Sequence, residues 1–176
     1  MMIRSATPAD ARELLDIYRP FVTASSVTFE LDVPPEAEFR QRIEKVLAFA
    51  PWLVAEIDGR IAGYAYATRH RERIGYQWSV ESSVYVHPEF HRRGLGRALY
   101  GALFPLLRDQ GFVNVYAGIA LPNAASVALH ESFGFEPVGV YRKIGFKLGR
   151  WVDVGWWSVA LREPPADPIP PRIPGP

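Results

Sequence analysis

Apolar residues recur along the chain at two periods, and the switches between them outline the secondary-structure elements. Residues 3–6 form a short β-prone run, and Thr7 before Pro8 marks a helix start, because a hydroxyl caps free amides and proline suits a first turn. Ala11, Leu14, Leu15 and Tyr18 then fall on one face at helical spacing, which predicts a helix to about Arg19, broken by Pro20. Residues 25–31 are β-prone but irregular. Pro34 and Pro35 introduce a second helix with Phe39, Ile43, Val46 and Leu47 as its buried stripe, and Pro51 ends it. Runs of β-formers over 52–57 and 61–67 flank Asp58-Gly59, a strong hairpin signal.

A third run, 77–86, alternates less cleanly and stops at Pro88, as expected of a central strand buried on both faces. From Gly94-Leu95-Gly96 a helix runs to about Gln110, with Gly111 as its C-terminal stop. A strand over 113–119, a helix over 124–133 and strands over 138–144 and 151–161 complete the pattern. The expected fold is an α/β sheet of mixed direction. Its three consecutive strands are antiparallel, and the strand-helix-strand crossover forms a parallel pair. No internal repeat is visible.

The 176 residues fit one core, placed at residues 1–162, followed by a proline-dominated tail over 163–176 that is expected to be extended and poorly ordered. With 48% hydrophobic and 22% charged residues the composition is that of a water-soluble globular chain. A net charge of +1 gives no basic field that would favour nucleic acid. The absence of cysteine excludes disulfides, thiolate metal sites and a thiol nucleophile. No metal is expected. Arg4, Asp10, Arg12 and Glu13 interrupt any apolar leader, and no later run is long enough to cross a bilayer, so the expected location is cytoplasmic.

In the segment His91-Arg92-Arg93-Gly94-Leu95-Gly96-Arg97-Ala98, glycines allow close backbone approach to an anion, and the helix that starts there points free amides toward it. Arg92, Arg93 and Arg97 add charge suited to a pyrophosphate or ribose phosphate. Taken alone, the glycines are more simply those of a tight strand-to-helix turn with a solvated basic edge. A P-loop is excluded because Gly96 is followed by Arg97 and Ala98 rather than lysine and a hydroxyl. A dinucleotide fingerprint is disfavoured because the loop comes late in the chain.

Together with Trp78-Ser79-Val80-Glu81-Ser82-Ser83-Val84-Tyr85-Val86 and the stretch from Leu121-Pro122-Asn123 through His130 to Gly134-Phe135, this loop resembles the GNAT acetyltransferases, specifically the phosphinothricin and methionine sulfoximine branch. The likeness extends over about residues 3–161. It implies a single GNAT-like domain with a mixed, mostly antiparallel sheet flanked by helices, in which two parallel strands splay apart to admit the pantetheine arm of acetyl-CoA. By the same resemblance Val84, Tyr85 and Val86 offer backbone groups to that co-substrate. Arg92, Arg93, Gly94, Leu95, Gly96 and Arg97 hold its pyrophosphate, and Asn123 contacts the arm. The family usually has glutamine or arginine where His91 stands, but a loop that binds through backbone amides leaves that departure little effect on affinity.

Acetyl transfer to an amine needs the amine neutral, yet an α-amino group with a pKa near 8 is mostly protonated at pH 7. Glu81, the one charged residue of the 77–86 run, is the expected general base; a solvent-facing or ion-paired glutamate is the alternative. Backbone N–H groups of Tyr85 or Val86 are candidates to stabilise the developing oxyanion. His130 lies seven residues beyond Asn123, nearly on the same helix face. The resemblance implies that it acts as acid for the leaving thiolate or orients the site; a packed or surface histidine is the alternative. Phe29, Arg71, Arg73, Tyr76 and Trp78 are the candidate acceptor contacts, arginines for a carboxylate and aromatics for an apolar side chain. Lys147, Trp151 and Asp153 are expected to complete a pocket or a homodimer contact. The implied reaction moves acetyl from acetyl-CoA to a small amino-acid-like acceptor such as phosphinothricin or methionine sulfoximine. Acetylation of another primary amine, a polyamine or peptide N-terminus, and a non-catalytic acyl-CoA-binding module are the alternatives.

Overall fold

A computed structural model describes residues 1–173. The strands are β1 (Met2–Ser5), β2 (Trp52–Ile57), β3 (Arg60–Arg69), β4 (Ser79–Val86), β5 (Asn114–Leu121), β6 (Glu136–Lys147) and β7 (Arg150–Ala160), and the helices are α1 (Ala11–Ala24), α2 (Glu36–Leu47), α3 (Leu95–Gln110) and α4 (Ala124–Glu131). The strands form one sheet in the order β1-β2-β3-β4-β5-β7-β6, antiparallel throughout except for the parallel pair β4–β5.

Alternation along β2 shows how the sheet acquires two cores. Trp52 and Val54 pack with Leu14, Ile17, Val22, Phe39 and Ile43 of α1 and α2, whereas Leu53 and Ala55 point the other way, into a core with Leu99, Leu103 and Leu107 of α3. Both faces of the central strands are therefore dry, which explains the weak alternation of the 77–86 run. The hairpin between β2 and β3 turns at Asp58 and Gly59 with φ of 52° and 75°, the pair of left-handed residues that a two-residue hairpin prefers.

Among the boundaries that differ from expectation, three stand out. Pro20 does not end α1, which continues to Ala24: Val22 is buried and Phe21 packs edge-on to Tyr85 at 5.1 Å, while Pro20 sits on the exposed face, where water can serve the carbonyl it leaves free. β4 begins at Ser79 rather than residue 77, because Ile74–Tyr76 form a 3-10 turn. β6 spans twelve residues, nearly all exposed, with irregular pairing to β7 between Pro137/Gly139 and Tyr141/Gly145. Beyond residue 162 the described tail has neither helix nor strand, and hydrogen bonds fasten it to the body. The Trp78 indole N–H donates to the Ile169 carbonyl at 2.9 Å, and the Arg172 backbone N–H donates to the Gln110 carbonyl at 2.7 Å.

Candidate active site

β4 and β5 pair at only three positions, Ser79↔Asn114, Val80↔Val115 and Glu81↔Tyr116. Beyond Glu81 both strands run on, to Val86 and Leu121, without pairing to each other. β5 is bonded along its other edge to β7 from Asn114 to Leu121, and β4 to β3 from Val80 to Val86, so the unpaired backbone faces a wedge between them. Buried backbone polar groups left without partners are costly, and an extended amide-bearing chain laid in the wedge would satisfy them as an added strand does.

Alternation sorts the residues expected to offer backbone groups there. The His87 N–H donates to the Ala62 carbonyl at 2.9 Å, which puts the backbone of Tyr85, two residues earlier, on the same β3 side. Val84 and Val86 face the wedge, whereas the backbone of Tyr85 is spent in the β3 ladder. His91 Nε2 lies 3.1 Å from the Val86 carbonyl, and because a carbonyl only accepts, the imidazole is the donor. His91 thus fastens the end of β4 to the following loop.

In that loop Arg92 and Gly94 adopt left-handed φ of 62° and 75°, turning the chain so that α3 starts at Leu95 with its first amides free. Arg93 lies over the Phe90 ring and Arg97 over Phe133, at 5.3 and 5.6 Å, and no salt bridge among the described residues neutralises Arg92, Arg93 or Arg97. The exposed loop, free amides and unpaired cations suit a pyrophosphate. Gly96 has a different role: a Cβ there would come within 3.0 Å of Leu129, so this glycine allows α3 and α4 to pack closely. Asn123 caps α4, its Oδ1 accepting from the Ser126 N–H at 3.1 Å. Its side chain is therefore committed first to the helix, with the amide nitrogen left to reach the wedge.

Glu81 occupies the last paired position of β4, at the point of the wedge, with its side chain on the α1/α2 face. Its Oε1 is 2.9 Å from His70 Nδ1 and 3.6 Å from Arg71 Nη1. A cavity of about 660 Å³ opens over it, large enough for a small molecule. The walls are Val27, Thr28, Phe29 and Leu31 from the α1–α2 segment, Tyr141, Ile144, Gly145 and Phe146 from β6, and Val154 and Trp156 from β7. Glu81 is its one charged lining residue, so the site suits a cation held next to apolar groups. Lys147, buried, holds the segment in place by donating to the Thr28 and Phe21 carbonyls at 2.7 and 3.3 Å. Burial lowers its pKa, against a smaller opposing pull from Glu30. Phe29 lies so close over Gly145 that any Cβ there would overlap its ring. The buried indole N–H of Trp156, a residue that lines the cavity, has no hydrogen-bond partner and is available to a ligand.

Of the expected acceptor contacts, Phe29 lines the cavity and Arg71 reaches its charged end. Arg73, Tyr76 and Trp78 are not among the lining residues: Arg73 and Tyr76 belong to the exposed turn, and the Trp78 indole holds the tail. Asp153 faces β6, accepting from the Lys143 N–H at 2.7 Å, and Trp151 stands exposed beside Phe146. Sequence reasoning missed His70, which meets the carboxylate, and Tyr116 and Trp156, which pack against the His70 ring.

His130 is buried with both ring nitrogens engaged. Nδ1 donates to the Ser126 carbonyl at 2.7 Å, which leaves Nε2 to accept from the Tyr100 hydroxyl at 3.1 Å. Burial lowers its pKa, against a smaller opposing pull from the Ser126 hydrogen bond, and burial raises that of Tyr100. A second cavity of about 480 Å³, walled by Trp52, Tyr64 and Tyr66, lies on the same sheet face beyond Thr28 and does not touch Glu81.

The comparisons agree with this geometry. The family model described as an acetyltransferase (GNAT) domain matches residues 3–156. The chain is 42% identical to a phosphinothricin N-acetyltransferase of Streptomyces viridochromogenes over 97% of its own length and 92% of the relative's. It is 35% identical to an L-methionine sulfoximine/L-methionine sulfone acetyltransferase of Salmonella typhimurium, covering 93% of this chain and 96% of that one. A phosphinothricin acetyltransferase of Sinorhizobium meliloti, solved in complex with AcCoA, superposes with a TM-score of 0.91 at 36% identity, covering 96% of this chain and 92% of that one. With its wedge, its glycine turn and a family match spanning most of its length, the chain belongs to the GNAT acetyltransferases.

Proposed function

We propose that the protein moves acetyl from acetyl-CoA to the amino group of a small amino-acid-like acceptor of the phosphinothricin or methionine sulfoximine kind. The observation that carries this is the position of Glu81, the only charge in an apolar cavity, at the point where β4 and β5 part. Acetyl-CoA supplies an acetyl group activated as a thioester. Glu81 accepts the proton of the incoming ammonium, directly or through one water, making the amine a nucleophile; as the C–N bond forms the C–S bond breaks, and the second proton shed by the nitrogen goes to the leaving thiolate. The Val86 N–H, on the wedge side, is the candidate donor toward developing negative charge; Tyr85 cannot fill that role because its N–H faces β3. Val84 and Val86 bond the arm, the start of α3 with Arg92, Arg93 and Arg97 takes the pyrophosphate, and Asn123 borders the arm. Phe29 and Trp156 pack the acceptor's side chain, and Arg71 draws its carboxylate. His130 acts by orienting Tyr100, since neither of its nitrogens has a free proton to give.

Two features support an acceptor of modest size over a peptide: the cavity volume, and walls drawn from both the α1–α2 segment and β6. No helix among the described residues is long and apolar enough to cross a membrane, in keeping with a cytoplasmic enzyme. Val138, Val140, Ile144 and Trp151, exposed on the β6–β7 hairpin, support a homodimer.

A thiol-release assay with acetyl-CoA and a panel of amines tests the reading. Turnover with phosphinothricin or methionine sulfoximine is expected, and Glu81→Gln should lower kcat by about 10²–10⁴ while leaving acetyl-CoA binding intact. Silence toward both acids, or preference for polyamines or peptides, refutes the acceptor class; a wild type that binds acetyl-CoA but never turns over refutes the enzyme.

A further inference from the structure

His70 follows directly on β3, and its backbone N–H still donates across to the Ser79 carbonyl at 3.3 Å, so the residue is held beside the first rung of β4. From there its ring reaches the carboxylate of Glu81, with Nδ1 2.9 Å from Oε1. The ring lies flat on Tyr116, with centroids 4.3 Å apart and planes 14° from parallel, and Trp156 meets it edge-on at 6.0 Å. Only 15% of the His70 side chain is exposed. Two aromatic groups from β5 and β7 fix the plane of the ring, and within that plane Nδ1 meets the glutamate.

An ionised carboxylate can only accept hydrogen bonds, so Nδ1 must carry the proton. We propose that His70 is a positioning residue for the base: its Nδ1–H holds Oε1 and fixes the carboxylate plane, leaving Oε2 for the acceptor amine or its bridging water. This rests on the acetyl-transfer reading above. A glutamate side chain has several rotatable bonds, and misplacement of a catalytic group by about 1 Å can cost as much as 10²-fold in rate. Arg71, whose Nη1 is 3.6 Å from the same Oε1, is half-exposed, and that Nη1 donates instead to the His70 carbonyl at 2.9 Å. Oε1 is therefore the held oxygen.

Two substitutions separate the donor from the ring. His70→Phe keeps a ring to stack on Tyr116 but has no N–H, whereas His70→Asn gives up the stack and places an amide N–H near the Nδ1 position. The expected result is a kcat about tenfold lower in His70→Phe with KM for acetyl-CoA unchanged, and recovery of most of that loss in His70→Asn. Wild-type kcat in His70→Phe, or equal loss in both variants at matched thermal midpoints, overturns the proposal. Histidine ¹⁵N NMR on the unsubstituted protein needs no variant: the Nδ1–H tautomer of His70 is expected, and the Nε2–H tautomer overturns the contact. A wild type inactive toward every amine would refute the acetyl-transfer reading, while the tautomer would still decide the His70–Glu81 contact.

Discussion

At the scale of single residues, His130 makes stability depend on pH. Burial keeps it neutral in the folded protein, whereas in the unfolded chain it takes up a proton as pH falls through about 6.5. The unfolded state then binds more protons than the folded one. The stability from this group is full above about pH 6.5 and declines on acidification until the lower folded-state value is reached. The urea midpoint of the wild type should fall between pH 7.5 and 5.5 by more than that of His130→Phe, even though the variant starts lower for want of a partner to Tyr100. Equal slopes would refute this. Glu81 stood out in the sequence as the one charge of the 77–86 run, whereas His130 was singled out only through the family resemblance, since a histidine on a helix is by itself ordinary. His70 was not, because in the run Arg69-His70-Arg71-Glu72-Arg73 a histidine reads as one more solvated turn residue. The direction of the Tyr85 backbone was also hidden, since alternation has a phase that only the pairing partner sets.

At the scale of elements, two contacts hold the site in shape. Leu129 sits against Gly96, so Gly96→Val should overpack the α3–α4 contact and cost about 1–3 kcal/mol in a denaturation assay. Gly96→Ala should be far milder, because its smaller clash is offset by better helix propensity. Lys147 ties the end of β6 to the segment that carries Phe29. Lys147→Met strands two carbonyls and should cost about 1–3 kcal/mol, with a severalfold rise in acceptor KM and no change in KM for acetyl-CoA. An unchanged acceptor KM would mean that Phe29 is placed without this tie. The hairpin at Asp58-Gly59, both helix pairs and the crossover were visible from periodicity and turn chemistry. Pro20 misled because a helix tolerates proline when the buried face on either side of it is worth keeping. The extent of β6 was hidden for the opposite reason: an edge strand exposed on both faces has no period to read.

At the scale of the whole molecule, the β6–β7 hairpin ends the sheet with an exposed apolar surface. Sedimentation should find a dimer at micromolar concentration, and the double substitution Val138→Asp and Val140→Lys, away from the cavity, should yield monomers. A wild type that sediments as a monomer at that concentration refutes the pairing. The wedge between β4 and β5 has a consequence for the lifetime of the protein as well as for its chemistry. Amides on its open edges should exchange quickly with solvent deuterium until acetyl-CoA is added, and then slow together. Because that ligand binds the folded chain and not the unfolded one, saturation at 100 times its dissociation constant adds about 2.7 kcal/mol to the free energy of unfolding. A cell rich in acetyl-CoA would thus slow the clearance of this enzyme by proteases, and a starved cell would hasten it, which couples abundance to the supply of its own donor.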